Sequence, residues 1–162
     1  MIAGIRYAHT NLIARDWRAL ADFYIEHLGC VPVLPERDLK GPAMESGTGI
    51  AGATLRGLHV RLPGHGPEGP TLEIFSYGAM PEKPETAINR PGYGHLAFQV
   101  ADVAAARAEL LAAGGQALGA IVRTPVGDRS VTWCYVTDPE GNPVELQAWG
   151  PALVEEPHAP DA

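Results

Sequence analysis

The sequence predicts an α+β fold in which two βαβββ modules pair into a curved mixed sheet, an incomplete barrel with its helices outside. Two internal echoes predict it. The stretch Asp138-Pro139-Glu140-Gly141-Asn142-Pro143-Val144-Glu145-Leu146-Gln147-Ala148-Trp149-Gly150 joins a tight turn to a strand with one carboxylate in its middle. At a separation of 72 the same features recur as Pro67-Glu68-Gly69, then Glu73 between Leu72 and Ile74, then Tyr77-Gly78. At a separation of 86 the front ends match too: Tyr7 with Tyr93, His9 with His95, Asp16 with Asp102, Ala19 with Ala105 and Gly29 with Gly115. Such self-similarity marks two copies of one supersecondary unit.

Residues 5–13 read as the first strand, with His9 and Asn11 on one face because successive side chains alternate. Asp16 is placed to cap a helix whose apolar residues Trp17, Leu20, Ala21, Tyr24 and Leu28 keep helical spacing until Gly29 stops it. Cys30–Leu34 is the next strand, and 35–53, rich in Gly, Pro and charge, reads as a long loop. Residues 55–62 alternate, with Leu58, Val60 and Leu62 opposite His59 and Arg61, and Pro63–Pro70 turns the chain into the strand of Glu73. Three prolines among mixed charges make 79–91 a semi-extended connector.

The second module repeats the plan. Along 94–100, Leu96, Phe98 and Val100 oppose His95, Ala97 and Gln99. Asp102 caps a helix with Val103, Ala106, Leu110 and Leu111 as its apolar stripe, and Gly114-Gly115 ends it. Strands follow near 117–124, 130–137 and 144–149. The organisation is thus one domain, 1–150, comprising module one at 5–78, a linker at 79–91 and module two at 92–150, with 151–162 as a flexible tail. His9 to Glu73 spans 64 residues and His95 to Glu145 spans 50, which places 14 extra residues in module one, after Pro35.

A chain of 162 residues buries roughly 70% of its unfolded surface, enough for a core without disulfide or structural metal. Net charge −7 and pI near 5.3 argue against nucleic acid and anionic membrane as partners and favour a small molecule. Cys30 and Cys134 lack CxxC spacing and read as buried reduced thiols. The N-terminus lacks a signal-peptide pattern and no apolar run is membrane-length, so a soluble cytoplasmic protein is expected.

By strand parity, His9, Glu73, His95 and Glu145 all lie opposite the apolar, helix-covered sets and can converge in one concavity. Unpaired carboxylates there are costly to desolvate, and a divalent cation among two imidazoles and two carboxylates compensates. Mixed N and O donors without cysteine suit one Zn, Ni, Co, Mn or Fe(II) ion per site and argue against structural zinc. Further candidates for substrate contact are Asn11, His59, Arg61, Phe75, Gln99 and Trp133, with Tyr135 beside Trp133 on a strand whose parity is open. His27, His65 and His158 read as exposed, and Glu45 as a solvated loop carboxylate.

The paired modules, the strand histidines, Glu73 in Leu-Glu-Ile-Phe and Glu145 in Asp-Pro-Glu-Gly-Asn-Pro-Val-Glu-Leu together resemble the vicinal oxygen chelate superfamily over residues 5–150. That superfamily includes glyoxalase I, methylmalonyl-CoA epimerase, extradiol dioxygenases, and fosfomycin and bleomycin resistance proteins. The resemblance implies a metal in the concave sheet that chelates neighbouring substrate oxygens, stabilising an enolate, an alkoxide or bound dioxygen. The ligand positions of the glyoxalase I type fall on His9, Glu73, His95 and Glu145. A glutamate at 73 favours the lyase and isomerase branches over the dioxygenases, in which that position is usually not a ligand. Epimerases often carry Gln there.

The resulting expectation is a metal-dependent lyase or isomerase of the glyoxalase I or epimerase kind, with Glu145 or Glu73 as the base. An Fe(II) extradiol-type dioxygenase and a drug-binding resistance protein without turnover are the alternatives. Exposed sheet edges and the habit of the superfamily predict a homodimer.

Overall fold

The structure, a computed structural model, describes residues 2–152. The chain divides into two compact units at Glu85/Thr86, inside the predicted linker. Each unit carries one four-stranded mixed sheet, giving the α+β class that the sequence predicts.

In the first unit the order is β1 (His9–Ile13), α1 (Trp17–Leu28), β2 (Val31–Lys40), α2 (Pro42–Thr48), β3 (Thr54–Arg61) and β4 (Thr71–Tyr77), with the sheet arranged β1-β4-β3-β2. β1 runs parallel to β4, and the other pairings are antiparallel. Asp16 caps α1 by accepting from the amides of Arg18 and Ala19, both at 3.1 Å. Gly29 ends the helix at φ 66°, a left-handed conformation that glycine adopts without steric cost. Leu20, Ala21, Phe23, Tyr24 and Leu28 of α1 are buried, as are Leu58 and Val60 of β3 and Leu72 and Ile74 of β4. Each large apolar side chain so buried contributes about 1.5–3 kcal/mol.

The second unit runs β5 (Leu96–Gln99), α3 (Val103–Ala112), β6 (Val122–Val126), β7 (Arg129–Thr137) and β8 (Pro143–Pro151), in the order β5-β8-β7-β6. The connectivity of the first sheet is repeated, with β5 parallel to β8. Asp102 accepts from Ala104 N at 2.8 Å and Ala105 N at 3.0 Å. Val103 and Leu110 of α3 are buried along with Cys134, Val136, Val144 and Leu146, whereas Ala106 and Leu111 are only half-buried.

Several boundaries differ from the sequence reading. The first strand begins at His9, not residue 5, because its parallel partner starts at Thr71, which donates to Ala8 O, and the next amide back on that side, Gly69 N, donates to Gly66 O in the turn instead of extending the ladder. The predicted loop 35–53 is instead the second half of β2 followed by α2. A register irregularity between Val33 and Arg37, at the cis Leu34–Pro35 bond, lets the strand continue past its proline. Leu39 of β2 and Met44 of α2 then pack with Ala53, Leu55, Phe75 and Tyr77, a small second core on the face opposite α1. The strand placed at 117–124 lies at 122–126, and Ala117 makes only an isolated bridge to Val136. Pro151 belongs to β8, and the rest of the predicted tail after Ala152, His158 included, lies outside the described residues. His27 is not fully exposed, since its ring packs 5.6 Å from that of Phe23.

Both cysteines are buried and unbridged. Burial pushes the Cys30 thiol up to about 12 and raises that of Cys134 as well, so neither supplies a thiolate near neutral pH.

Candidate functional site

In unit one the register sets a row of side chains across the face opposite α1. Asn11 of β1 and His59 of β3 are both partners of Glu73 on β4, and His9 and Arg61 are both partners of Thr71 one step along. Glu73 therefore stands between two histidines. His9 Nε2 lies 3.5 Å from Glu73 Oε2, and His59 Nε2 lies 3.2 Å from Oε1. Asn11 Nδ2 donates to Oε2 at 2.9 Å and to the Glu73 carbonyl at 3.1 Å. Thr71 Oγ1 is 3.0 Å from His59 Nδ1, so each nitrogen of that ring has a partner. Burial favours the neutral imidazole of His59 and lowers its pKa below the ordinary value, an effect that the Glu73 charge opposes.

Phe75 shares this face, its ring 5.9 Å from that of His59 and edge-on to it. Phe75 is itself buried, lying over Gly57, where a Cβ would run into its ring and the Ile74 carbonyl oxygen. It thus forms the floor between the polar row and the Leu39–Met44 core. Glu45 is exposed on α2, not in a loop.

Unit two presents a matching row. Ala97 of β5 and Tyr135 of β7 are the partners of Glu145 on β8, so Tyr135 occupies the position held in unit one by His59. His95 Nε2 lies 3.0 Å from Glu145 Oε2, and the rings of His95 and Tyr135 are 5.0 Å apart. Burial, then the Glu145 charge and a hydrogen bond to its carboxylate, raise the pKa of the Tyr135 phenol, which stays protonated as the donor of that hydrogen bond. Trp133 falls on the same face, 5.2 Å from the ring of Tyr135, with Nε1 donating to Thr124 Oγ1 at 3.0 Å. Gln99 pairs in register with Gln147 on this face.

The predicted residues are thus gathered in two groups, His9, Asn11, His59, Arg61, Glu73 and Phe75 in unit one and His95, Gln99, Trp133 and Glu145 in unit two. Sequence reasoning missed Arg37, which pairs in register with Gly57 beside His59, because its stretch read as loop. It also left Tyr135 among the weaker candidates. The alternation of Cys134 and Val136 with Trp133 and Tyr135 was the available signal.

A cleft of about 480 Å³ in unit one, lined by Arg15, Trp17, Lys40, Arg56, Ser76 and Tyr77 among others, includes none of the predicted site residues.

The donor types fit a divalent ion by halves. Unit one sets two imidazole nitrogens, those of His9 and His59, beside the Glu73 carboxylate, and unit two sets one, that of His95, beside Glu145, all of them partly solvent-accessible. Among the described residues no group of three or more His, Cys, Asp or Glu side chains is arranged to hold an ion by itself.

Comparison with known proteins fits this picture. The model of the Glyoxalase/Bleomycin resistance protein/Dioxygenase superfamily matches residues 6–146. The chain belongs to that superfamily. No curated protein matches. Among solved structures, a glyoxalase family protein from Bacillus cereus aligns with a TM-score of 0.74 at 17% identity, over 92% of this chain and 99% of that one. A glyoxalase family protein from Enterococcus faecalis aligns at 0.54 and 23% identity, over 90% and 97%. A glyoxalase/bleomycin resistance protein/dioxygenase domain from Frankia sp. EAN1pec aligns at 0.52 and 17%, over 98% of both chains. These likenesses concern the fold. No helix among the described residues is long and apolar enough to cross a membrane.

Proposed function

We propose that this superfamily member is a homodimeric, divalent-metal-dependent lyase or isomerase that moves a proton next to a carbonyl of a small oxygenated metabolite. The observation that carries the reading is the repeated His–Glu contact, His9 with Glu73 and His95 with Glu145, at matching places in two sheets of the same connectivity. His9, Glu73, His95 and Glu145 would hold the ion, with Zn, Ni, Co, Mn and Fe(II) all compatible with the donors. When bound, it supplies positive charge beside the oxygen on which negative charge develops as the carbon acid ionises.

The chain's own residues divide the remaining work. Asn11 and His59 fix Glu73 from both sides, making it the anchored carboxylate. Glu145 has no amide donor in the position of Asn11, since Ala97 stands there, and is the better base. Tyr135 orients it through the phenol hydrogen bond. Trp133, on the same face as Glu145 and packed against Tyr135, supplies apolar surface beside that carboxylate.

Metal analysis of protein purified without chelator or histidine tag should give one ion per chain, and His9→Ala or Glu145→Ala should lower occupancy sharply. Full stoichiometry at unchanged affinity in either variant rejects the ligand set. With Zn, Ni or Co bound, solvent deuterium should enter the α-carbon of a hydroxyacyl, ketoacid or acyl-CoA substrate, and Glu145→Gln should slow this by about 10²–10⁴-fold. Oxygen uptake on catechols with Fe(II) alone would transfer the protein to the dioxygenases. Light scattering at micromolar concentration tests the dimer.

A further inference from the structure

Four arginines of unit one divide by face. On the side of α1, Arg18 is paired with Glu36 at 2.6 Å and Arg56 with Asp38 at 3.3 Å. On the open face, Arg37 and Arg61 flank the His9–His59–Glu73 row and have no carboxylate partner among the described residues. Arg37 is in register with Gly57, and its charge is among those that act on His59. Its guanidinium donates to the Pro35 carbonyl. Arg61 is in register with Thr71, and its Nε is buried without a hydrogen-bond partner.

Both side chains are half-buried. A cation removed from water without a counter-charge is unfavourable, so two such arginines on one face create a standing demand for an anion. The only carboxylate in the row, Glu73, is already engaged by Asn11, His9 and His59. The fold itself does not require these charges. In unit two the register equivalents of Arg37 and Arg61 are Val122, partner of Trp133, and Thr137, partner of Pro143.

We infer that Arg37 and Arg61 form an oxyanion-binding floor beside the His9–Glu73 pair, and that the substrate is an acid whose carboxylate or phosphoryl group docks there. The guanidinium fork suits both groups, and a chain of net charge −7 that leaves these two arginines uncompensated has placed positive charge where only a ligand uses it. The inference deepens the proposed function by naming its substrate class and rests on that reading for the chemistry, whereas anion capture needs no metal.

The test is calorimetric titration of metal-free protein with malonate and with inorganic phosphate. The expected result is saturable binding weakened tenfold or more by Arg61→Gln and by Arg37→Gln, and unchanged by Arg56→Gln on the other face. Circular dichroism checks folding, and Arg61→Lys, which keeps the charge but not the fork, should bind at intermediate strength. Stronger binding of malonate assigns a carboxylate substrate, and stronger binding of phosphate a phosphoryl one. Absence of binding to the unsubstituted protein, or equal loss in Arg56→Gln, overturns the inference. His9→Ala separates the two ideas, because it should lose metal while keeping anion binding; metal loss in His9→Ala with no anion binding by the unsubstituted protein refutes the floor and leaves the metal reading standing, whereas full metal retention in His9→Ala with anion binding intact rejects the ligand set and leaves the floor.

Discussion

The two modules share a connectivity and differ in what they do with it. Both set a histidine at the start of the short parallel strand, His9 as its first residue and His95 just ahead of it, beside a glutamate on the neighbouring strand, and both cap the following helix with aspartate. Around that common pair, module one adds Asn11, His59, Arg37 and Arg61, where module two has Ala97, Tyr135, Val122 and Thr137 at the equivalent registers. Module one is a polar, cation-rimmed row with a rigid carboxylate. Module two is an aromatic wall with a less restrained one. What the modules share is the folding frame and the His–Glu pair, and what differs surrounds that pair, so the repeat acts as an internal control for separating the two.

Substitutions that erase one difference at a time test the comparison. The largest effect is expected at Asn11. Asn11→Ala removes the amide that fixes Glu73 and makes module one resemble module two, and should weaken metal affinity about tenfold or more by competition with a chelator. An unchanged affinity would mean that the Glu73 restraint is irrelevant to the centre.

Gly57 comes next, because the close approach of Phe75 exists only in module one; Trp133 is its counterpart in module two. Gly57→Ala should cost about 1–3 kcal/mol in urea unfolding through displacement of the Phe75 ring. A neutral result would show that the ring has room to move and does not form a fixed floor.

The smallest effects should be the most alike. Asp16→Ala and Asp102→Ala each remove an N-cap accepting two amides, and each should cost about 1 kcal/mol. A clear inequality would show that the shared frame is not energetically shared.

Local rules made much of this legible. The caps at Asp16 and Asp102, the stop at Gly29 and the alternation that sets His95 opposite Leu96 and Phe98 follow from periods and backbone chemistry that neighbouring residues impose. The repeat then doubled each inference, since a feature seen twice at one spacing is unlikely to be chance. Residues 35–53 were illegible for a matching reason. Their proline, glycine and charge content favours irregular backbone locally, and only packing of Leu39 and Met44 against Ala53, Leu55 and Phe75 makes them strand and helix.

By itself, then, the sequence determined the two-module α+β plan, the capped starts of α1 and α3 and the faces to which His9, Glu73, His95 and Glu145 belong, because alternation and capping act over a few residues. Only the tertiary structure decided which of those faces' residues meet. Strand pairing across 14 residues set His59 against Glu73, pairing across 10 set Tyr135 against Glu145, and the irregular β2 brought Arg37 beside Gly57, next to His59. Register is fixed by the packing of whole strands, and no short stretch of the chain contains it.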